Sequence, residues 1–182
     1  MASLNEGLVL ALPLDDARQA NDVSGNNNHG VITGAVTLVP DDLFGACIKF
    51  SGTDTKIVVA DQPSLRLTGD MTLSLWVYLE TAASDWVRVL GKGDLTQRNY
   101  GLWYSSSEKQ WLFQVYGTGA VPSVYSAPGE IKLHTWYHFA GVRQGDKAFL
   151  YLNGDQVGAV AGALGTPFTS ADPLTLGFAG YH

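Results

Sequence analysis

The residues best suited to chemistry stand in Asp22-Val23-Ser24-Gly25-Asn26-Asn27-Asn28-His29-Gly30, a stretch with a single aliphatic side chain. Asp22 offers a carboxylate, and Asn26, Asn27 and Asn28 offer amide or carbonyl oxygens, the hard donors that a calcium ion takes. The same residue types build turns without any metal. Asp and Ser side chains accept from nearby backbone N–H groups, and Asn and Gly tolerate left-handed backbone. Both readings stay open at this point: a structural calcium held by Asp22, Asn26, Asn27 and Asn28, or a self-satisfied loop. His29 is structural in either.

Acid–base catalysis has weaker footing. A glycosidase holds two carboxyl groups about 5 to 9.5 Å apart, and on a strand such a pair shows as acids two residues apart. The glutamates are Glu6, Glu80, Glu108 and Glu130, all near termini or turns, and no Glu-x-Asp-x-Glu run occurs. There is no Gly-x-Ser-x-Gly elbow, and Cys47 lies in apolar Ala46-Cys47-Ile48-Lys49-Phe50, where it reads as a small buried hydrophobe. Gly91-Lys92-Gly93-Asp94 lacks the rest of a phosphate loop and reads as a turn. The expectation is a protein that is not an enzyme.

Sugar recognition asks for other residues. Aromatic rings stack on pyranose faces while amides and carboxylates bond hydroxyls. The candidates are Trp76, Tyr78, Trp103, Tyr104, Trp111 and Tyr116, with Asn99 and Gln114 as polar partners and Asp85, Gln97 and Arg98 near them in sequence. Against this stands the ordinary role of strand aromatics as core.

The elements that must position these residues are strands. Met71-Thr72-Leu73-Ser74-Leu75-Trp76-Val77-Tyr78-Leu79 alternates an apolar face with a polar and aromatic one. Residues 8–14 place Leu8, Leu10, Leu12 and Leu14 on one face and predict a first strand, with Pro13 near its end. Residues 30–39 predict a strand kinked at Gly34, and residues 45–50 and 56–60 predict a hairpin about a turn at 51–55. Residues 61–65 predict a short helical turn. Further strands are expected at 86–90, 100–104, 111–116, 136–142, 147–152, 156–160 and 174–178, with Asn153-Gly154 as a tight hairpin turn. Abundant glycine (21) and no sustained helical period make the fold class all-β, a two-sheet antiparallel sandwich of about a dozen strands.

A net charge of −6, with Lys and Arg scattered singly, supplies no basic patch for phosphates and argues against nucleic acid. The start Met1-Ala2-Ser3-Leu4-Asn5-Glu6 has no signal-peptide pattern, and no apolar run reaches membrane-spanning length.

Leu12-Pro13-Leu14-Asp15-Asp16, the Asp22 loop, Phe44-Gly45-Ala46-Cys47-Ile48-Lys49-Phe50-Ser51-Gly52, Met71-Thr72-Leu73-Ser74-Leu75-Trp76-Val77, Leu90-Gly91-Lys92-Gly93, Thr135-Trp136-Tyr137-His138-Phe139-Ala140-Gly141-Val142 and Leu150-Tyr151-Leu152-Asn153-Gly154 occur in one order. In that order the chain resembles the laminin-G-like, concanavalin A-like jelly-roll domains. The resemblance implies one jelly-roll domain over residues 1–182 and often a structural calcium in the Asp22 loop. It places Tyr137 and His138 in structural packing. Such domains usually carry a final strand beyond the Leu174 segment, pairing near the first, so the resemblance implies a partner chain or missing segment that completes the sandwich. The function it implies is a carbohydrate-binding or adhesive module at an extracellular, cell or virion surface, with a glycan or surface protein as partner. The alternative is a structural or assembly protein using a sheet face or the terminal seam as its interface.

Overall fold

Apolar alternation and glycine-rich turns give eleven strands among the described residues: β1 (Gly30–Asp41), β2 (Gly45–Val59), β3 (Met71–Tyr78), β4 (Trp86–Lys92), β5 (Tyr100–Ser105), β6 (Gln110–Val115), β7 (Ser123–Tyr125), β8 (Trp136–Gln144), β9 (Lys147–Leu152), β10 (Asp155–Ala161) and β11 (Leu174–Leu176). The structure is a computed structural model, and it describes residues 5–81, 86–94, 97–119, 121, 123–161 and 165–177. Two antiparallel sheets form, one ordered β1-β2-β11-β4-β5-β6-β7 and one ordered β10-β9-β8-β3. No helix among the described residues is long and apolar enough to cross a membrane.

The core lies between the sheets, where alternate residues of each strand meet. Tyr100, Leu102 and Tyr104 of β5 and Trp111, Phe113 and Val115 of β6 face Phe139, Ala148, Leu150 and Leu152 of the smaller sheet. Trp111 meets Phe139 edge to face at 4.9 Å between centroids. Phe113 is fully buried, and a Cβ at Gly141 would stand 2.5 Å from its ring. Gly141 is therefore the notch that admits Phe113.

Three expectations need correction. Residues 8–14 join neither sheet: Pro13 lacks an N–H, and Leu14 turns to φ 58°, which ends extended geometry. Val9, Leu10, Leu12 and Leu14 still pack on the core. Residues 51–55 are not a hairpin turn. They bulge within the continuous strand β2, which pairs with β1 on both sides of the bulge, Thr33 opposite Lys56 and Ala35 opposite Ser51. Gly34 sits in the bulge at φ +81°, and a Cβ there would meet Thr55 Cα at 2.9 Å, so the close approach needs glycine. Lastly, β7 lies where no strand is expected; at three residues between prolines its alternation is too short to register.

The bulge divides the β1–β2 hairpin, and its distal half runs out to the smaller sheet. At the tip, the Asp41 carboxylate accepts Trp136 Nε1–H at 2.8 Å and the backbone N–H groups of Leu43 and Phe44. The indole bond, followed by the two amides, holds the Asp41 carboxyl below its ordinary value. Lys49 and Glu80 pair at 2.5 Å. Cys47, opposite Val39, is half-buried, and burial followed by the Asp41 and Glu80 charges pushes its thiol pKa up.

Lys92 closes β4 with a side chain that is 0% exposed rather than lying in an open turn. Its Nζ donates to the Asp61 carboxylate and to the carbonyls of Ser170 (2.9 Å) and Asp172. Asp61 also receives Arg66 Nε–H at 3.0 Å, just outside the 3₁₀ turn Pro63–Leu65 expected from the sequence.

Candidate functional site

The outer face of the larger sheet is built from the residues that alternate with its core set. Register aligns Arg88, Trp103, Leu112 and Tyr125 in one row across β4, β5, β6 and β7. The neighbouring row is Gly91, Gly101, Gln114 and Ser123. The two glycines leave floor space that the first row fills: Arg88 lies over Gly91 and the Trp103 indole over Gly101, where a Cβ would meet Cη2 at 2.6 Å.

The result is a cleft of about 270 Å³, with Trp103 and Leu112 as floor and Trp86, Arg98, Gln114, Tyr116 and Tyr125 around them. Trp103 is 3% exposed and Tyr125, at the rim, is 44% exposed. Trp103 meets Tyr116 edge to face at 6.1 Å, and Trp86 meets Tyr125 at 6.4 Å. A directional relay runs along one wall. Arg98 Nη1 donates to Tyr116 Oη (2.9 Å), Tyr116 Oη to Gln114 Oε1 (2.6 Å), and Gln114 Nε2 to Ser123 Oγ (2.7 Å). The Arg98 guanidinium stands 5.5 Å from the centre of the Tyr116 ring. Below them Arg88 is buried, donating to the carbonyls of Gly93 and Gly91 and to Thr175 Oγ1. Chemically this is an aromatic trough with one cation and one amide at fixed positions.

Of the residues expected to bind a sugar, Trp103, Tyr116 and Gln114 come together here, with Arg98. Tyr104 and Trp111 do not: at 2% and 1% exposure they point between the sheets, so they are core residues and not ligand platforms. Asn99 is also buried, its Nδ2 donating to the carbonyls of Leu67 (3.1 Å) and Phe168, which ties two loops together. Trp76 and Tyr78 lie on the far side of the sandwich, on the outer face of the smaller sheet. There Phe44 from the hairpin tip packs edge-on against Trp76 (5.2 Å) and Trp136 (5.0 Å), and Trp136 meets Tyr78 at 5.4 Å. His138 Nε2 bonds Ser74 Oγ beside them. Gln97 is exposed, and Asp85 lies outside the described residues. Sequence reasoning missed Trp86 and Tyr125; their signal was parity, since each falls on the same face as Trp103 once the strands are paired.

The Asp22 loop is a clamp. Asp22 Oδ1 accepts the N–H groups of Ala11 and Ser24, and Oδ2 accepts Asn28 N–H and the Ser24 hydroxyl, all within 2.9 Å. Asn26 Nδ2 donates to Leu8 O, and Asn28 Nδ2 to Val9 O and Ser64 Oγ. His29 Nδ1 accepts Asp22 N–H, and Asn27 takes the left-handed φ of 57°. These bonds stand in for a strand partner along residues 8–11.

The hydrogen bonding of Asp22 favours the self-satisfied loop over the calcium site. A carboxylate has about four acceptor positions, and Asp22 uses them all on protein donors. Asn28 Oδ1 is buried with no donor among the described residues. No group of three His, Cys, Asp or Glu among the described residues is placed to hold a metal. EDTA is accordingly expected to leave the melting temperature unchanged. Asp22→Ala is expected to cost about 1–3 kcal/mol in urea denaturation by stranding buried N–H groups. Burial alone raises the Asp22 carboxyl pKa, but the amides of Ala11, Ser24 and Asn28 and the Ser24 hydroxyl outweigh it and hold the value below the ordinary one. The loop's contribution is thus present above about pH 4 and is lost as pH falls below that.

A laminin-G model of the concanavalin A-like lectin/glucanases superfamily matches residues 51–180. The chain belongs to this superfamily. No curated protein sequence matches the chain. Among solved structures, the binding domain of paraclostridial mosquitocidal protein 1 superposes on this concanavalin A-like sandwich with TM-score 0.82 at 17% identity, over 99% of this chain and 46% of that one. The ligand binding domain of botulinum neurotoxin serotype D, solved with N-acetylneuraminic acid, gives TM-score 0.75 at 12% identity, over 98% and 44%. Domains LG4-5 of the mouse laminin alpha1 chain give 0.51 at 15%, over 64% and 29%. The superfamily member described here spans less than half the length of those toxin chains. At these identities the likeness is one of fold.

Proposed function

We propose that this concanavalin A-like domain is a recognition module that binds carbohydrate in the outer cleft of its larger sheet, at an extracellular, cell or virion surface. The observation that carries the reading is the convergence of Tyr116 and Tyr125 with Arg98 and Gln114 above the buried Trp103 floor of one concave site. Ring faces and edges there suit the apolar side of a sugar, and the relay suits its polar groups. The cleft volume falls just under the roughly 300–1,000 Å³ of drug-sized ligand sites, a match for a short chain end. No carboxylate stands among the described lining residues, which favours recognition over acid–base hydrolysis. A serotype D toxin domain of this fold has been solved with N-acetylneuraminic acid, which supports including sialylated glycans among the ligands tried.

A glycan panel followed by titration calorimetry tests the proposal. Tyr125→Ala, at an exposed rim position, is expected to weaken binding of the best glycan by up to about tenfold while leaving thermal stability intact. A second reading, assembly through the smaller sheet, is favoured by one observation: Phe44, Trp76 and Tyr78 form a contiguous aromatic patch that is 39–47% exposed. Silence across the glycan panel, together with concentration-dependent self-association that Trp76→Ser abolishes, would replace the first reading with the second.

A further inference from the structure

We infer that the cleft selects an acidic sugar and that Arg98 receives its anionic group, an inference that rests on the glycan reading of the same site. Arg98 has five N–H donors and spends one of them, Nη1–H, on Tyr116 Oη. Its Nη2 makes no hydrogen bond to a described residue, and its buried Nε finds no acceptor among them. No carboxylate among the described residues pairs with it: the ion pairs are Lys49 with Glu80, and Arg66 and Lys92 with Asp61. A guanidinium held at a cleft wall with no carboxylate partner among the described residues is a site suited to a planar or tetrahedral anion, which it takes by paired N–H bonds.

The surroundings prepare it for that role. The Tyr116 ring lies under the guanidinium, and the relay through Tyr116 and Gln114 to Ser123 anchors the end of the side chain across β6 and β7. Arg98 is thus fixed before a ligand arrives, which spares the ordering cost that a free arginine side chain would carry. The chain as a whole repels anions, with a net charge of −6, so selection has to come from short-range contacts inside the trough.

The test compares three probes on the intact chain: a uronic-acid oligosaccharide, its carboxyl-reduced neutral counterpart and a sulfated counterpart. The acidic forms are expected to bind about tenfold or more tightly than the neutral one, as charge-assisted hydrogen bonds do, and to weaken as ionic strength rises. Preference for the carboxylated or the sulfated probe identifies the anion. Arg98→Gln is expected to bring the acidic probes down to the level of the neutral one, with Arg98→Lys intermediate and melting curves verifying that both variants are folded. Equal affinity for acidic and neutral probes overturns the acidic-sugar inference while leaving the glycan cleft standing. Acidic preference that survives Arg98→Gln overturns the assignment to Arg98. No binding of any probe, nor of any glycan on the panel, overturns the glycan reading itself.

Discussion

Asp61→Ala is expected to destabilise the protein by about 3–5 kcal/mol, the cost of breaking a buried pair and leaving its cation uncompensated. The cation is Lys92, whose side chain is 0% exposed and whose other acceptors are two neutral carbonyls, those of Ser170 and Asp172. Arg66, the second partner of Asp61, has a side chain that is 40% exposed and loses little, because water takes over. Lys92→Met in the same background removes the stranded charge, so Asp61→Ala/Lys92→Met is expected to be more stable than Asp61→Ala alone. Urea unfolding of the four proteins in the cycle measures the coupling. A single-variant loss below about 0.5 kcal/mol, the range of ordinary surface changes, would show that the pair does not hold these segments together. The pH dependence has a definite sign. Hydrogen bonding from Arg66, ahead of Lys92, holds the Asp61 carboxyl at about 2, against its ordinary 3.8. Between those values the unfolded chain binds more protons, so this stabilisation is complete above about pH 4 and is lost as pH falls through about 2.

The second large effect is expected at Phe113. Phe113→Ala should cost about 3–5 kcal/mol, because a fully buried ring leaves a cavity that two stacked sheets cannot collapse. Its partner in shape is Gly141, opposite it on β8. Gly141→Ala drives a methyl group into the ring and is expected to cost about 1–3 kcal/mol by overpacking. With Phe113→Leu in place that methyl has room, so the Gly141→Ala cost should shrink. Equal costs in both backgrounds, measured by denaturant unfolding, would mean that the ring and the notch do not share one space.

Strand existence was legible because alternation is a local property: Met71–Tyr78 shows its buried and exposed faces residue by residue. Pairing was not, because it depends on distant partners. Residues 51–55 look like a turn in isolation, and only the bulge opposite Gly34 makes them part of one strand. The candidate site shows the same division. Trp103 and Tyr104 are neighbours on β5, so they point to opposite faces, and at most one could line a cleft. That constraint was available from sequence; which face was core was not. Gly101 held the clue, since a residue without a side chain beside an aromatic marks where a ring lies down on the sheet. Lys92 and Asp61 are thirty-one positions apart, and no pattern at that separation announces a buried pair. The oxygen-rich Asp22 loop was recognised, but donor types alone do not say whether a cation or backbone N–H groups occupy them.

Cys47 is the single cysteine in the chain. Its thiol is half-buried, with a pKa pushed up by burial and then by the Asp41 and Glu80 charges, so alkylation is expected to be slow while the hairpin is closed. The rate is expected to rise with any detachment of the outer half of the β1–β2 hairpin that takes Phe44 from its place between Trp76 and Trp136. A rate that follows the hairpin tip would make Cys47 a chemical clock for one local opening. Alkylation rates time the release of the hairpin tip, while global unfolding, which frees the buried indole of Trp111, is timed separately by tryptophan fluorescence.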